Sequence, residues 1–154
     1  MTVKFISGYF SYKDCQLWIP HLQETKGEDV VEASGGTKKD APEGQRIGAV
    51  TATLKEHHIS RYMTPSSDKL TYLSTTYSSD KVPSFPEDAH WMGVFYLGRL
   101  GESYQGDKDT FADQEVSPDY GDVVFISKEE TYAPGNVTEG ENHRFYVFWR
   151  QEQG

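Results

Sequence analysis

The sequence has little of what staples, anchors or steers a chain. One cysteine, Cys15, stands in 154 residues, so no internal disulfide can form, and a reducing compartment is the expected setting. No stretch approaches the roughly 20 apolar residues that a membrane helix needs. The N-terminal MTVKFISGYF lacks the apolar run and small-residue cleavage site of a secretory signal, so a cytoplasmic location is expected. The sequon Asn136-Val137-Thr138 is then idle. No basic cluster exceeds Lys38-Lys39, which excludes a phosphate-tracking nucleic-acid surface. Walker A, G-x-S-x-G, C-x-x-C and G-x-G-x-x-G patterns are absent, and the sequence names no cofactor.

What the chain does have is aromatic and acidic. Aromatic residues make up 14% of it, with 10 Tyr, 8 Phe and 3 Trp, so the core is aromatic-heavy and some tyrosines are expected at the surface. Residues 1–75 carry 9 basic and 9 acidic side chains, whereas residues 76–154 carry 6 basic and 15 acidic. The whole net charge of −9 therefore sits in the second half, where it serves solubility or faces a basic partner.

Period-two patterns dominate. Thr2–Phe10 reads as a strand ending near Gly8. Cys15, Leu17 and Ile19 alternate with Gln16 and Trp18 until Pro20, which suggests an edge strand. Such an edge would let two copies pair, unless Pro20 blocks it. The polar, Gly-rich run Ser34–Gly44 reads as a loop, Arg46–Thr53 as a further strand, and Leu54–Met63 as a short helix stopped by Pro65. Leu70–Thr75 alternates again. Three runs, Trp91–Leu100, Asp122–Ile126 and Phe145–Trp149, are apolar on both faces and are expected as central, doubly covered strands. With about eight strands expected and no linker or repeat, residues 1–154 read as a single, predominantly antiparallel all-β domain: a β-sandwich, jelly roll or small barrel with one or two short helices.

In the C-terminal stretch Gly121-Asp122 opens a strand, an extended loop runs through Pro134-Gly135, and a last strand spans Arg144–Arg150. That cadence resembles cupin and oxygenase jelly rolls. The resemblance implies a ligand histidine in that loop, but Lys128–Gly140 contains none.

Three functions follow as expectations. The first is a non-catalytic binding protein that holds a small molecule or carbohydrate on exposed aromatics, with Trp18, Trp91, Tyr104 and Tyr132 as contacts at strand ends or loops. The second is a metal-dependent, cupin-like enzyme. Glu56-x-His58 has the spacing that puts two ligands on one strand face, with His90 or His143 as the distant ligand. The third is an acidic interaction or inhibitor domain that meets a basic protein surface. Asp107-x-Asp109 begins like a calcium loop, but Ala112 and Pro118 stand where an EF-hand needs Gly and Glu. Cys15 reads as a buried structural thiol and not as a nucleophile paired with His21.

Overall fold

The computed structural model describes residues 3–31, 42–64 and 69–152. Ten strands and two helices are found among them. The major sheet has the order β1-β7-β3-β10-β2, built from β1 (Val3–Ile6), β2 (Lys69–Ser78), β3 (Trp91–Tyr96), β7 (Val123–Ser127) and β10 (Arg144–Glu152). Every pairing in it is antiparallel. The three doubly apolar runs become β3, β7 and β10, the central strands, and all residues of β3 and β7 are buried. Two small sheets cover one face: β4 (Tyr104–Gly106) with β9 (Val137–Gly140), and β6 (Gln114–Val116), β5 (Asp109–Phe111) and β8 (Tyr132–Ala133) in the order β6-β5-β8. The result is the expected antiparallel jelly roll with helices on its other face.

Those helices correct two strand expectations. Cys15–Ile19 lies in α1 (Tyr12–Thr25), and Arg46–Thr53 lies in α2 (Pro42–Leu54). In α1 the residues that bury are Cys15, Trp18 and Leu22, a helical stripe that shares Cys15 with the alternating one. Ser11 decides locally, because its hydroxyl accepts the Asp14 N–H as an N-cap. Pro20 sits inside the helix on its exposed face, so no edge strand exists there for two copies to share. In α2 the buried positions Ile47, Thr51 and Leu54 again follow the helical period. The helix expected from Leu54 to Met63 is present as a π-helical extension of α2 (Lys55–Met63), closed by the Thr64 N–H on the Ile59 carbonyl at 2.8 Å. The loop expected at Ser34–Gly44 lies mostly outside the described residues, as does Pro65.

Strand alternation divides the interior into two cores. Trp91, Phe95, Phe125, Phe145, Val147 and Trp149 face the helices and pack with Cys15, Trp18, Leu22, Ile47 and Leu54. Met92, Val94, Tyr96, Val124, Ile126, Tyr146 and Phe148 face the small sheets and pack with Phe111 and Tyr132. No helix among the described residues is long and apolar enough to cross a membrane.

Candidate functional site

The second core turns polar at one end. Arg144 opens β10 and pairs with Tyr96 of β3 on one side and Ser78 of β2 on the other. Alternation with Tyr146 and Phe148 points its side chain at the small sheets. There it meets Asp109, the first residue of β5, which is fully buried. Asp109 Oδ2 accepts the Tyr96 hydroxyl at 2.6 Å and the Tyr132 hydroxyl at 2.9 Å, while Oδ1 accepts the Gly135 N–H at 2.8 Å. Arg144 Nη1 donates to the Tyr132 oxygen at 3.0 Å and lies 4.0 Å from Asp109 Oδ2. Tyr132 is fixed from the side by Phe111, stacked at 4.3 Å and 5°. Gly135 is required by close approach, since a Cβ there would lie 2.1 Å from the Asp107 carbonyl oxygen.

A cleft of about 630 Å³ opens over this network, lined by Ser79, Asp80, Pro134, Gly135, Asn136, Val137, Gly140, Glu141 and Arg144. Among the lining residues Arg144 is buried, whereas the carboxylates Asp80 and Glu141 are exposed. Several polar atoms beside the cleft are buried without a partner: Arg144 Nε, Tyr104 Oη, and both amide atoms of Asn142. Burial pushes the Tyr132, Tyr96 and Tyr104 hydroxyls well above their ordinary pKa, and Tyr146 up to about 12. These tyrosines stay protonated and act as donors or neutral acceptors. At Arg144 burial opposes the charge, but the surrounding Tyr132, Tyr146 and Asp109 oxygens outweigh it and raise the pKa. The group is a permanent cation.

The residues singled out from sequence fall in different places. Trp18 and Trp91 are core residues: Trp18 stacks on Phe10 at 4.7 Å, and Trp91 donates its indole N–H to Gln151. Tyr104 and Tyr132 do border the polar end, but from inside and not as exposed platforms. Glu56 and His58 sit on the π-helical extension, where the His58 ring meets Tyr9 and Tyr62. His90 Nδ1 accepts the Gln151 N–H at 2.9 Å. His143 hydrogen-bonds Tyr77 through Nδ1, and its Nε2 lies 3.6 Å from Glu141 Oε2. The structure does not gather these four, and no group of three His, Cys, Asp or Glu side chains among the described residues could hold a metal ion. Sequence reasoning met Asp109 only in a calcium-loop pattern that fails, and it passed over Arg144 as a site residue. Arg144 at the head of an apolar run was the available signal, since a charge where a doubly buried strand begins has to find a partner.

No family model and no curated protein matches the sequence. The fold does match. The viral collagen prolyl hydroxylase of Paramecium Bursaria Chlorella virus-1, solved as a 2OG complex, has a TM-score of 0.67 at 15% identity, over 97% of this chain and 96% of that one. A Pseudomonas putida prolyl-4-hydroxylase gives 0.62 at 11% identity, over 99% and 86%. HygX from Streptomyces hygroscopicus with iron bound gives 0.55 at 11% identity, over 97% and 82%. The architecture is thus that of the 2OG-Fe(II) oxygenase jelly rolls, followed along nearly the whole chain. This corrects two expectations: a non-catalytic module holding a small molecule or carbohydrate, and an acidic domain meeting a basic protein surface. The finding that overturns them is the match to enzyme folds along nearly the whole chain, and three of the four aromatics expected as exposed contacts, Trp18, Trp91 and Tyr104, are buried.

The two groups named with those neighbours fit this chain differently. A facial-triad iron site needs two imidazoles and a carboxylate converging with open positions. The network around Arg144 contains one carboxylate, already holding three donors, and no imidazole. The residue that Lys128–Gly140 sends into it is Tyr132, not a histidine. Iron does not fit. A carboxylate fits better, because Arg144, a permanent cation, is among the residues that line an open cleft.

Proposed function

We propose that the chain is an enzyme on the oxygenase jelly-roll scaffold, acting in the cytoplasm on a small carboxylate-bearing molecule seated over Arg144, a 2-oxo acid being the first to test. The observation that supports it is the permanently charged Arg144 among the lining residues of the cleft, its Nε buried without a partner. Arg144 binds and orients the carboxylate, and Asp109 and Tyr132 hold the guanidinium in place from behind. Asp80 and Glu141 on the rim receive a hydroxyl, amino or other donor at the far end of the molecule and are placed to take a proton from it. A 2-oxo acid supplies an electrophilic carbonyl next to the anchored carboxylate. Being a lone, buried and unpaired thiol, Cys15 suits the reducing setting.

The test is thermal shift and calorimetry with 2-oxoglutarate, succinate and oxalate, followed by NMR of each mixture for turnover. A ligand at 100 times its Kd should stabilise by about 2.7 kcal/mol. Arg144→Met should abolish the shift while leaving the chain folded. Absence of a shift with every mono- and dicarboxylate tried on the wild-type chain would overturn the proposal.

A further inference from the structure

We infer that the resident cation of this barrel is the Arg144 guanidinium and that the site works without a metal ion, unlike HygX, which was solved with iron bound. Three independent observations carry this. The first is the donor inventory. All five histidines and the one cysteine lie among the described residues, because the segments outside them contain neither residue. Cys15 is buried in the helix-facing core. His21 binds Asp29 at 3.1 Å beside α1, His57 and His58 are on the π-helical extension, His90 is engaged by the Gln151 backbone, and His143 pairs with Tyr77. His143 precedes Arg144, and strand alternation turns neighbours to opposite faces, so it is directed away from Asp109. The segments outside the described residues contain no histidine and so cannot bring an imidazole to Asp109.

The second observation is saturation. Asp109 accepts from two tyrosine hydroxyls and a backbone N–H, all at 2.6–2.9 Å. A metal would have to displace the buried Tyr96 hydroxyl or the half-buried Tyr132 hydroxyl and Gly135 N–H from the carboxylate that pairs them. The third is charge. Arg144 Nη1 is 4.0 Å from the Asp109 oxygen that a metal would need. A divalent ion on that oxygen would face a fixed positive charge at close range in a water-poor interior, where repulsion is screened far less than in water. The guanidinium answers the Asp109 carboxylate from inside, and Arg144 also lines the cleft, so the positive charge that an anion there would meet is already in place.

The inference goes beyond the enzymatic proposal, and two measurements separate them. Metal content of the purified protein by plasma mass spectrometry should stay below about a tenth of an equivalent. Anaerobic Fe²⁺ and Co²⁺ titrations should give no saturating thermal shift and no visible Co²⁺ bands. The shift caused by 2-oxoglutarate should be equal in EDTA and in Fe²⁺. About one equivalent of Fe²⁺ or Co²⁺ that is lost in Asp109→Asn or in the exposed-site variant Glu141→Gln would overturn the inference. Stoichiometric metal that survives both substitutions contradicts the expected content and overturns the inference as well. If 2-oxoglutarate causes no shift in either buffer, the carboxylate proposal fails alone, while metal content still decides the inference.

Discussion

Removing the Asp109 carboxylate is the sharpest probe of the polar end. Asp109→Ala deletes the acceptor of two hydroxyls and one backbone N–H and leaves a buried guanidinium without its counter-charge. Hydrogen bonds to charged groups contribute about 1.5–3 kcal/mol each but do not add within one network. Breaking a buried pair from one side costs about 3–5 kcal/mol. The expected loss is about 4 kcal/mol, a drop of roughly 8–16 °C in Tm for a chain of this size. Arg144→Met should cost less, about 2 kcal/mol, because Asp109 keeps its three donors. The double variant should lose well under the sum of about 6 kcal/mol, since the second change removes the stranded charge created by the first. Urea denaturation followed by tryptophan fluorescence and near-UV circular dichroism gives all four corners of the cycle, with an unchanged m-value confirming a common unfolded state. Additivity within about 0.5 kcal/mol would show that the carboxylate and guanidinium do not act as a unit, and the account of the site would fall with it.

Other outcomes follow from single features. Cys15 is fully buried and its thiol is pushed up to about 12, chiefly by burial; an aromatic disulfide reagent should find no thiol in the native protein and one after denaturation. Burial lowers the pKa of His143 and of His58. The unfolded chain therefore binds more protons just below pH about 6.5, so stability is full above that pH and falls as pH drops through it. Thermal melts from pH 8 to 5 measure this. In Glu141→Gln the acid loss should steepen, because Glu141 raises the His143 pKa against burial. Gly121 has φ +78°, and a Cβ there would lie 1.8 Å from the Phe10 carbonyl oxygen. Gly121→Ala should cost at least ~2 kcal/mol, whereas Gly101→Ala, at φ +93° in open space, should cost about 1 kcal/mol, and chemical denaturation of the pair separates collision from backbone strain.

The central sheet was legible because burial on both faces leaves a run of β-branched and aromatic residues that little else produces, and β3, β7 and β10 are those runs. The helices were not. Cys15, Leu17 and Ile19 alternate, but Cys15, Trp18 and Leu22 form an equally good helical stripe, and Pro20 argued for a strand end without excluding an exposed position within a helix. The winning signal was the Ser11 cap, which short-range pattern counting undervalues. The candidate site was half visible. Tyr104 and Tyr132 were chosen as aromatics in loops and belong to the polar end, though for their hydroxyls. In the sequence Asp109 stands out only as half of a calcium-loop pattern that fails, and the β5–β8 pairing, a contact between distant segments, is what shows that it is buried. His90 and His143 had the right chemistry for a metal but project from positions that the pleat and the sheet order keep apart.

The position of Arg144 beside His143 has a consequence for how this barrel could change over time. What lines the cleft there depends on parity, the odd or even count of residues back from the apolar anchors Phe145, Val147 and Trp149. Substitutions can exchange one side chain for another at a fixed parity. With the anchors held, deleting Arg144 itself would bring His143 to the position that now carries the guanidinium, whereas deletions within Glu141–His143 leave Arg144 on its present face. A one-residue length change at the strand head is therefore all that separates a cleft with a fixed cation from one with an imidazole at the same position.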